Sequence, residues 1–185
     1  VATKKKRPGF AFPGPVPEEA LAFLKNKVLQ PGFSYLDVWA AEHAVAFTVA
    51  KGMQADLLET IRAELLKALA EGRTLAQFQK DLTPLLQKEG WWGVQKMHDP
   101  HSGETKPVQL GSPRRLKTIY RANLRTARAA GQWQRIERTK KALPYLVYGL
   151  GPSEHHRELH VRWDGKVLPV DDPWWREHNP PNGYG

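Results

Sequence analysis

Ser112-Pro-Arg-Arg-Leu-Lys-Thr-Ile-Tyr-Arg-Ala-Asn-Leu-Arg-Thr-Ala-Arg-Ala-Ala-Gly131 is the longest stretch of unbroken helical periodicity, and the fold class turns on it. Ser112 offers a side-chain oxygen to the free amides of a first turn, and Pro113 suits a first helical position, where an N–H is not needed. Leu116, Ile119, Tyr120, Leu124, Ala127, Ala130 and Gly131 define a narrow buried side. The small members Ala127, Ala130 and Gly131 leave room for another element to come close. Lys117, Arg121, Arg125, Arg128 and Arg135 recur at steps of four, four, three and seven, which places all five cations on one face. The helix is expected to run to about Ala142, broken by Pro144.

Toward the N-terminus the pattern stays helical. Thr74-Leu-Ala-Gln77 has capping-box spacing, and a helix follows through Phe78, Leu82 and Leu85. Asp56 to Glu71 is a further helix, with Gly72 as its C-cap. Ser34 to Gly52 reads as another, with Val38, Ala41, Val45 and Val49 on one side. A short helix is expected from Pro17 to about Gln30. The first 17 residues, rich in proline and glycine, read as an arm that carries Lys4, Lys5, Lys6 and Arg7 as a basic contact. Gly90 to Gly111 reads as a loop or weak hairpin, with Trp91 and Trp92 assigned to core packing.

Beyond Pro144 the periodicity shortens. Tyr145-Leu-Val-Tyr148 and His160-Val-Arg-Trp163 look like strands, with Asp164-Gly165 as a hairpin turn into Lys166-Val-Leu-Pro-Val170. The fold class is therefore α+β: a mainly helical N-terminal part with a long basic helix, then a small antiparallel β-containing C-terminal part. The organisation read from this is an arm over 1–17, a helical domain with a tryptophan-containing loop over 18–111, and the basic helix plus a small α+β domain over 112–185.

The net charge of +9 is concentrated. Residues 1–90 hold 12 Lys/Arg and 10 Asp/Glu, whereas residues 91–185 hold 16 and 9. Between Ser112 and Ala142 ten basic residues face only Glu137. Such an excess points to a polyanion or an acidic partner, set against the plain alternative of a solvated helix face. Cysteine is absent, which excludes disulfides and thiolate metal sites within these residues. No apolar run reaches 18 residues and no secretory signal is read at the start, so no membrane partner is expected.

Several stretches recur in a set order. They are Phe33-Ser-Tyr-Leu-Asp-Val-Trp39, Glu42-His43-Ala44, Phe47-Thr-Val-Ala-Lys51, Gly90-Trp-Trp-Gly93 and Pro113-Arg-Arg-Leu116. Ile119-Tyr-Arg-Ala-Asn-Leu-Arg-Thr-Ala127, Ala130-Gly131, Pro144-Tyr-Leu-Val-Tyr148, Arg157, His160, Asp164-Gly165, Trp174 and Asn179-Pro-Pro-Asn-Gly183 follow. From about Gln30 to its end the chain thus resembles the Mu protein F-like head morphogenesis family of tailed bacteriophages. The resemblance implies a minor head protein in the virion, assembled in the host cytoplasm. It implies a place in the capsid interior near the portal, with a role in assembly, DNA packaging or ejection. The implied partners are the portal and major capsid proteins, and packaged double-stranded DNA. Related domains open phage-borne toxin polypeptides, where they look like packaging modules. In the family pattern a pair of cysteines follows Pro180-Pro181-Asn182-Gly183; this chain stops at Gly185, which reads as an incomplete C-terminus.

Catalytic chemistry finds no support. Ser34, Ser102, Ser112 and Ser153 lack an elbow motif, and no phosphate-binding loop is present, so an enzyme is not expected. Asp171-Asp172 sits in a turn context, where acids cap or solvate. His156, His160 and His178 are the candidate zinc ligands, but His156-Arg-Glu-Leu-His160 is not the metalloprotease spacing. Zinc would need residues beyond the chain end, and otherwise His160 and Arg157 would hold the Asp164 hairpin; no cofactor is expected. The basic face is the candidate contact for nucleic acid or an acidic protein. Five phosphate contacts would give a log–log salt slope of about −4.5, and no base-reading motif accompanies them.

Overall fold

The computed structural model describes residues 17–34, 37, 45–151 and 154–179. In chain order its elements are α1 (Glu18–Lys25), β1 (Val28–Leu29), β2 (Ala46–Phe47), α2 (Ala55–Glu71), α3 (Leu75–Lys88), β3 (Val94–His98), β4 (Thr105–Gln109), α4 (Pro113–Thr139), β5 (Tyr145–Val147), α5 (Glu158–Trp163), β6 (Val167–Pro169) and α6 (Trp175–His178). Helices dominate the N-terminal part and short strand pairs complete it, so the α+β class holds. The basic cluster Lys4–Arg7 lies outside the described residues.

The long helix starts where its cap dictates. Ser112 Oγ accepts the Arg115 N–H at 3.3 Å, and Pro113 opens the first turn. Leu116, Ile119, Leu124, Ala127 and Gly131 are buried, matching the narrow side read from the sequence. The helix ends at Thr139, three residues earlier than expected. Its close neighbour is α1. A Cβ on Gly131 would lie 2.9 Å from the Ala20 backbone nitrogen and 3.3 Å from its Cβ, so only glycine admits this crossing.

The other helices of the core are set by their ends. Gly72 takes φ 65° and closes α2 with its N–H on the Ala68 carbonyl. Arg73, next in line, ties three helices together. Its guanidinium meets Glu71 at 2.7 Å, Asp81 at 3.0 Å and the buried Glu64 at 3.5 Å. Its carbonyl accepts the Tyr120 hydroxyl of α4 at 2.6 Å. Thr74 and Gln77 form the reciprocal capping box that opens α3. One core joins these faces: Leu24 from α1, Leu58, Ile61 and Leu65 from α2, Phe78, Leu82 and Leu86 from α3, and Leu116 and Leu124 from α4.

The segment 90–111 forms a defined antiparallel hairpin of β3 and β4, with Val94 opposite Gln109 and His98 opposite Thr105. Trp91 is buried and donates its Nε1–H to the Lys51 carbonyl at 2.9 Å, and Trp92 packs against the core, as expected. At the hairpin tip, Asp99 pairs with Lys106 at 3.0 Å and accepts the His101 N–H at 3.0 Å. His101 in turn reaches Asp37 at 2.9 Å, and Asp37 also accepts the amides of Phe33 and Ser34.

Three expected elements differ. The helix predicted to Gln30 stops at Lys25, because Val28 and Leu29 pair in parallel with Ala46 and Phe47. The helix predicted over Ser34–Gly52 is absent where the chain is described from Val45 on. There Ala46 and Phe47 are strand, and Lys51 turns at φ 65°. A pairing partner nearly twenty residues away overrides the local apolar spacing. The third is the predicted strand His160–Trp163, which is the last part of α5. Gly165 then leads into β6, whose partner is β5, with Tyr145 opposite Pro169 and Val147 opposite Val167. The ion pair Glu158–Arg162 at 2.6 Å, one helical turn apart, favours the helix. Asp164 accepts the Leu150 N–H at 3.1 Å, a contact that holds its turn without His160 or Arg157.

Gly131→Val is expected to force α1 off α4 and to lower stability by about 1–3 kcal/mol, read by chemical denaturation. A second expectation concerns acid. The Lys106 ammonium beside Asp99, with the His101 and Ser102 amides, holds its carboxyl down to about 2. The Ser34 amide, His101 and the Phe33 amide lower Asp37. Both groups are depressed relative to the unfolded chain, so their stabilisation is present above the ordinary value of 3.8 and is lost as pH falls below it. The His101 and Ser102 amide resonances are expected to move with a midpoint near 2 in an NMR acid titration; a midpoint at 3.8 would refute the tip geometry.

Candidate functional site: the basic face of the long helix

The chemistry of the site begins with helical geometry. Lys117, Arg121, Arg125 and Arg128 project from α4 on one side, and all four are exposed. Arg114, not among the residues singled out from the sequence, lies three before Lys117 and extends the same stripe. It too is exposed. The signal for it was present, since a step of three shares a helical face. From Arg114 to Arg128 the stripe spans about 21 Å at the helical rise.

Arg135, the fifth expected member, is exposed as well but lies close to an acid. Its Nε is 3.5 Å from the Gly131 carbonyl and 4.0 Å from Glu19. Arg138 binds the same carboxylate at 2.9 Å. The Glu19 backbone amide, then Arg138, lowers the Glu19 pKa. Lys140 is raised by its bonds to Asp171 at 2.7 Å and Glu137 at 3.0 Å. Three acids thereby offset most of the charge at the far end of α4. Arg73 engages Glu64, Glu71 and Asp81 of the neighbouring helices. Among the described residues no carboxylate is within ion-pair distance of Arg114, Lys117, Arg121, Arg125 or Arg128.

Arg115 shows the opposite fate of a neighbouring cation. It turns inward, donates to the carbonyls of Gln109 at 2.6 Å and Leu110 at 3.3 Å and to that of Ala50, and stacks 4.8 Å over Trp91. Burial lowers its pKa. It locks the hairpin and the turn after β2 to the start of α4, so the stripe rides on a fixed base.

Two of the three candidate histidines pack among aromatic rings. His178 stacks on Trp174 at 4.2 Å and 4°, and meets the edge of Trp163 at 4.5 Å. His160 stacks on the other side chain of that pair, Trp163, at 5.2 Å. His156 joins neither stack. Among the described residues no three His, Cys, Asp or Glu side chains are grouped to hold a metal. Asp172 accepts the Trp174 N–H at 2.9 Å and Asp171 holds Lys140, both structural tasks.

Residues 59–185 match the family described as Phage Mu protein F like protein. The chain is 42% identical over 168 residues to "Putative capsid assembly protein F" of Escherichia phage Mu, covering 91% of this chain and 38% of that protein. It is 41% identical over 143 residues to the Mu-like prophage FluMu F protein of Haemophilus influenzae, covering 77% of this chain and 33% of that protein. No solved structure matches. The chain belongs to the Phage Mu protein F like family of phage head morphogenesis proteins, and it spans only about a third of the length of these relatives.

The two arginine roles predict different outcomes in thermal melts. Arg115→Met strands three carbonyls and is expected to cost about 1–3 kcal/mol. Arg121→Gln, on the free stripe, is expected to stay within about 0.5 kcal/mol of the parent.

Proposed function

We propose that this chain is part of a minor head protein of a Mu-like tailed phage. It acts inside the capsid close to the portal vertex, in assembly, DNA packaging or DNA ejection. It is a structural component without catalytic residues or a cofactor, and its partners are the portal or major capsid protein. The observation that carries this reading is the 42% identity, over 91% of the chain, to a protein named for capsid assembly. The stripe on α4 supports it by offering a long charged surface to a neighbour, on a helix that the core holds rigid. Among the described residues no helix is long and apolar enough to cross a membrane.

Quantitative mass spectrometry of purified particles tests this. The expected result is a low, fixed copy number relative to the portal protein. Absence from finished particles would remove the structural reading. It would leave a DNA-binding accessory, a second reading that the exposed stripe favours.

A further inference from the structure

The α4 stripe can meet a polyanion of two kinds, an acidic protein or a nucleic acid, and its surroundings discriminate between them. Protein interfaces are anchored by apolar and aromatic side chains at their centre and are depleted of charge there. Among the described residues, no large hydrophobic side chain is exposed between Val94 and Leu143. On α4 itself, five cations stand along about 21 Å of helix with no exposed large hydrophobic side chain among them. Arginine supplies four of the five, and its planar fork suits phosphate oxygens. Duplex DNA carries one charge per ~1.7 Å of axis, which a straight cationic row can follow. No Asn or Gln stands among the five to read adenine, and the charges run along one helix face without a wedge residue.

We infer that Arg114, Lys117, Arg121, Arg125 and Arg128 form a docking surface for the phosphate backbone of duplex DNA, engaged without base preference. The inference deepens the head-protein reading by naming the polyanion that this face meets. No described carboxylate lies within ion-pair distance of the row, so the face is available without breaking an internal ion pair.

The test is fluorescence anisotropy of the whole chain with two labelled duplexes of unrelated sequence, titrated with salt. The parent is expected to bind both within about twofold. Replacing Arg121, Arg125 and Arg128 with Gln together is expected to lower the log–log salt slope by about 2.7 in magnitude, about 0.9 for each phosphate no longer neutralised. Replacing Arg157, Arg162 and Arg176 with Gln removes equal charge from the C-terminal part and is expected to leave the slope unchanged. Circular dichroism confirms that each variant is folded. Equal slope losses in both variants, a preference for one duplex, or no duplex binding at 50 mM salt would overturn the inference. In the last case, loss of portal or capsid protein capture by the first variant would assign the face to an acidic protein. A chain present in particles but unable to bind duplex overturns this inference alone. A chain that binds duplex but is missing from particles overturns the head-protein reading alone.

Discussion

Gly131 and Ala20 bring the backbones of α4 and α1 together with no side chain between them, and the helical core is arranged around that crossing. A long helix that buries only a narrow stripe needs small residues where a second helix crosses it closely. Ala127 and Gly131 provide them, and Leu116, Ile119 and Leu124 carry the same stripe onto α2 and α3. With the buried side fixed, the rest of the α4 circumference is fixed as well. The basic stripe therefore faces outward as a consequence of packing on the opposite flank.

Charge is distributed by the same constraint. Several acids near the core have a cation assigned to them. Arg73 gathers carboxylates from α2 and α3, Arg138 takes Glu19 on α1, and Lys140 takes Glu137 and Asp171. Arg115 is desolvated and satisfied by carbonyls, with the Trp91 ring beneath it. The other cations in the first two-thirds of α4 are left with solvent on one side and no acid on the other. A solvated face of this kind adds little to stability, since exposed charges contribute only ~0–1 kcal/mol even when paired.

The C-terminal part is built on different physics. Tyr148, Val170 and Trp175 are buried outside the main core. Trp163 and Trp174 meet edge to face at 5.6 Å, and Tyr148 sits within 5.8 Å of both. Aromatic packing of this geometry lets a few large rings substitute for a deep aliphatic core. His160 and His178 are members of that cluster.

The sequence by itself determined what depends on neighbours in the chain. The Ser112 cap, the Thr74 capping box, the Gly72 terminus and the faces of α2, α3 and α4 all follow from contacts within a few residues, and local spacing encodes such contacts. The cations Lys117, Arg121, Arg125 and Arg128 were legible for the same reason. Only the tertiary structure decided the rest. The parallel pairing of Val28–Leu29 with Ala46–Phe47 and the partnership of β5 with β6 join segments separated by about twenty residues, which no short-range periodicity reports. Six residues in α5 are too few to show a helical period, so their β-branched and aromatic content read as strand. The assignment of Arg115 to the interior, of Arg135 to Glu19 and of the free stripe to solvent depended on which acids and carbonyls the fold brought within reach. Charge content is written in the sequence; which charges remain unneutralised is set by packing.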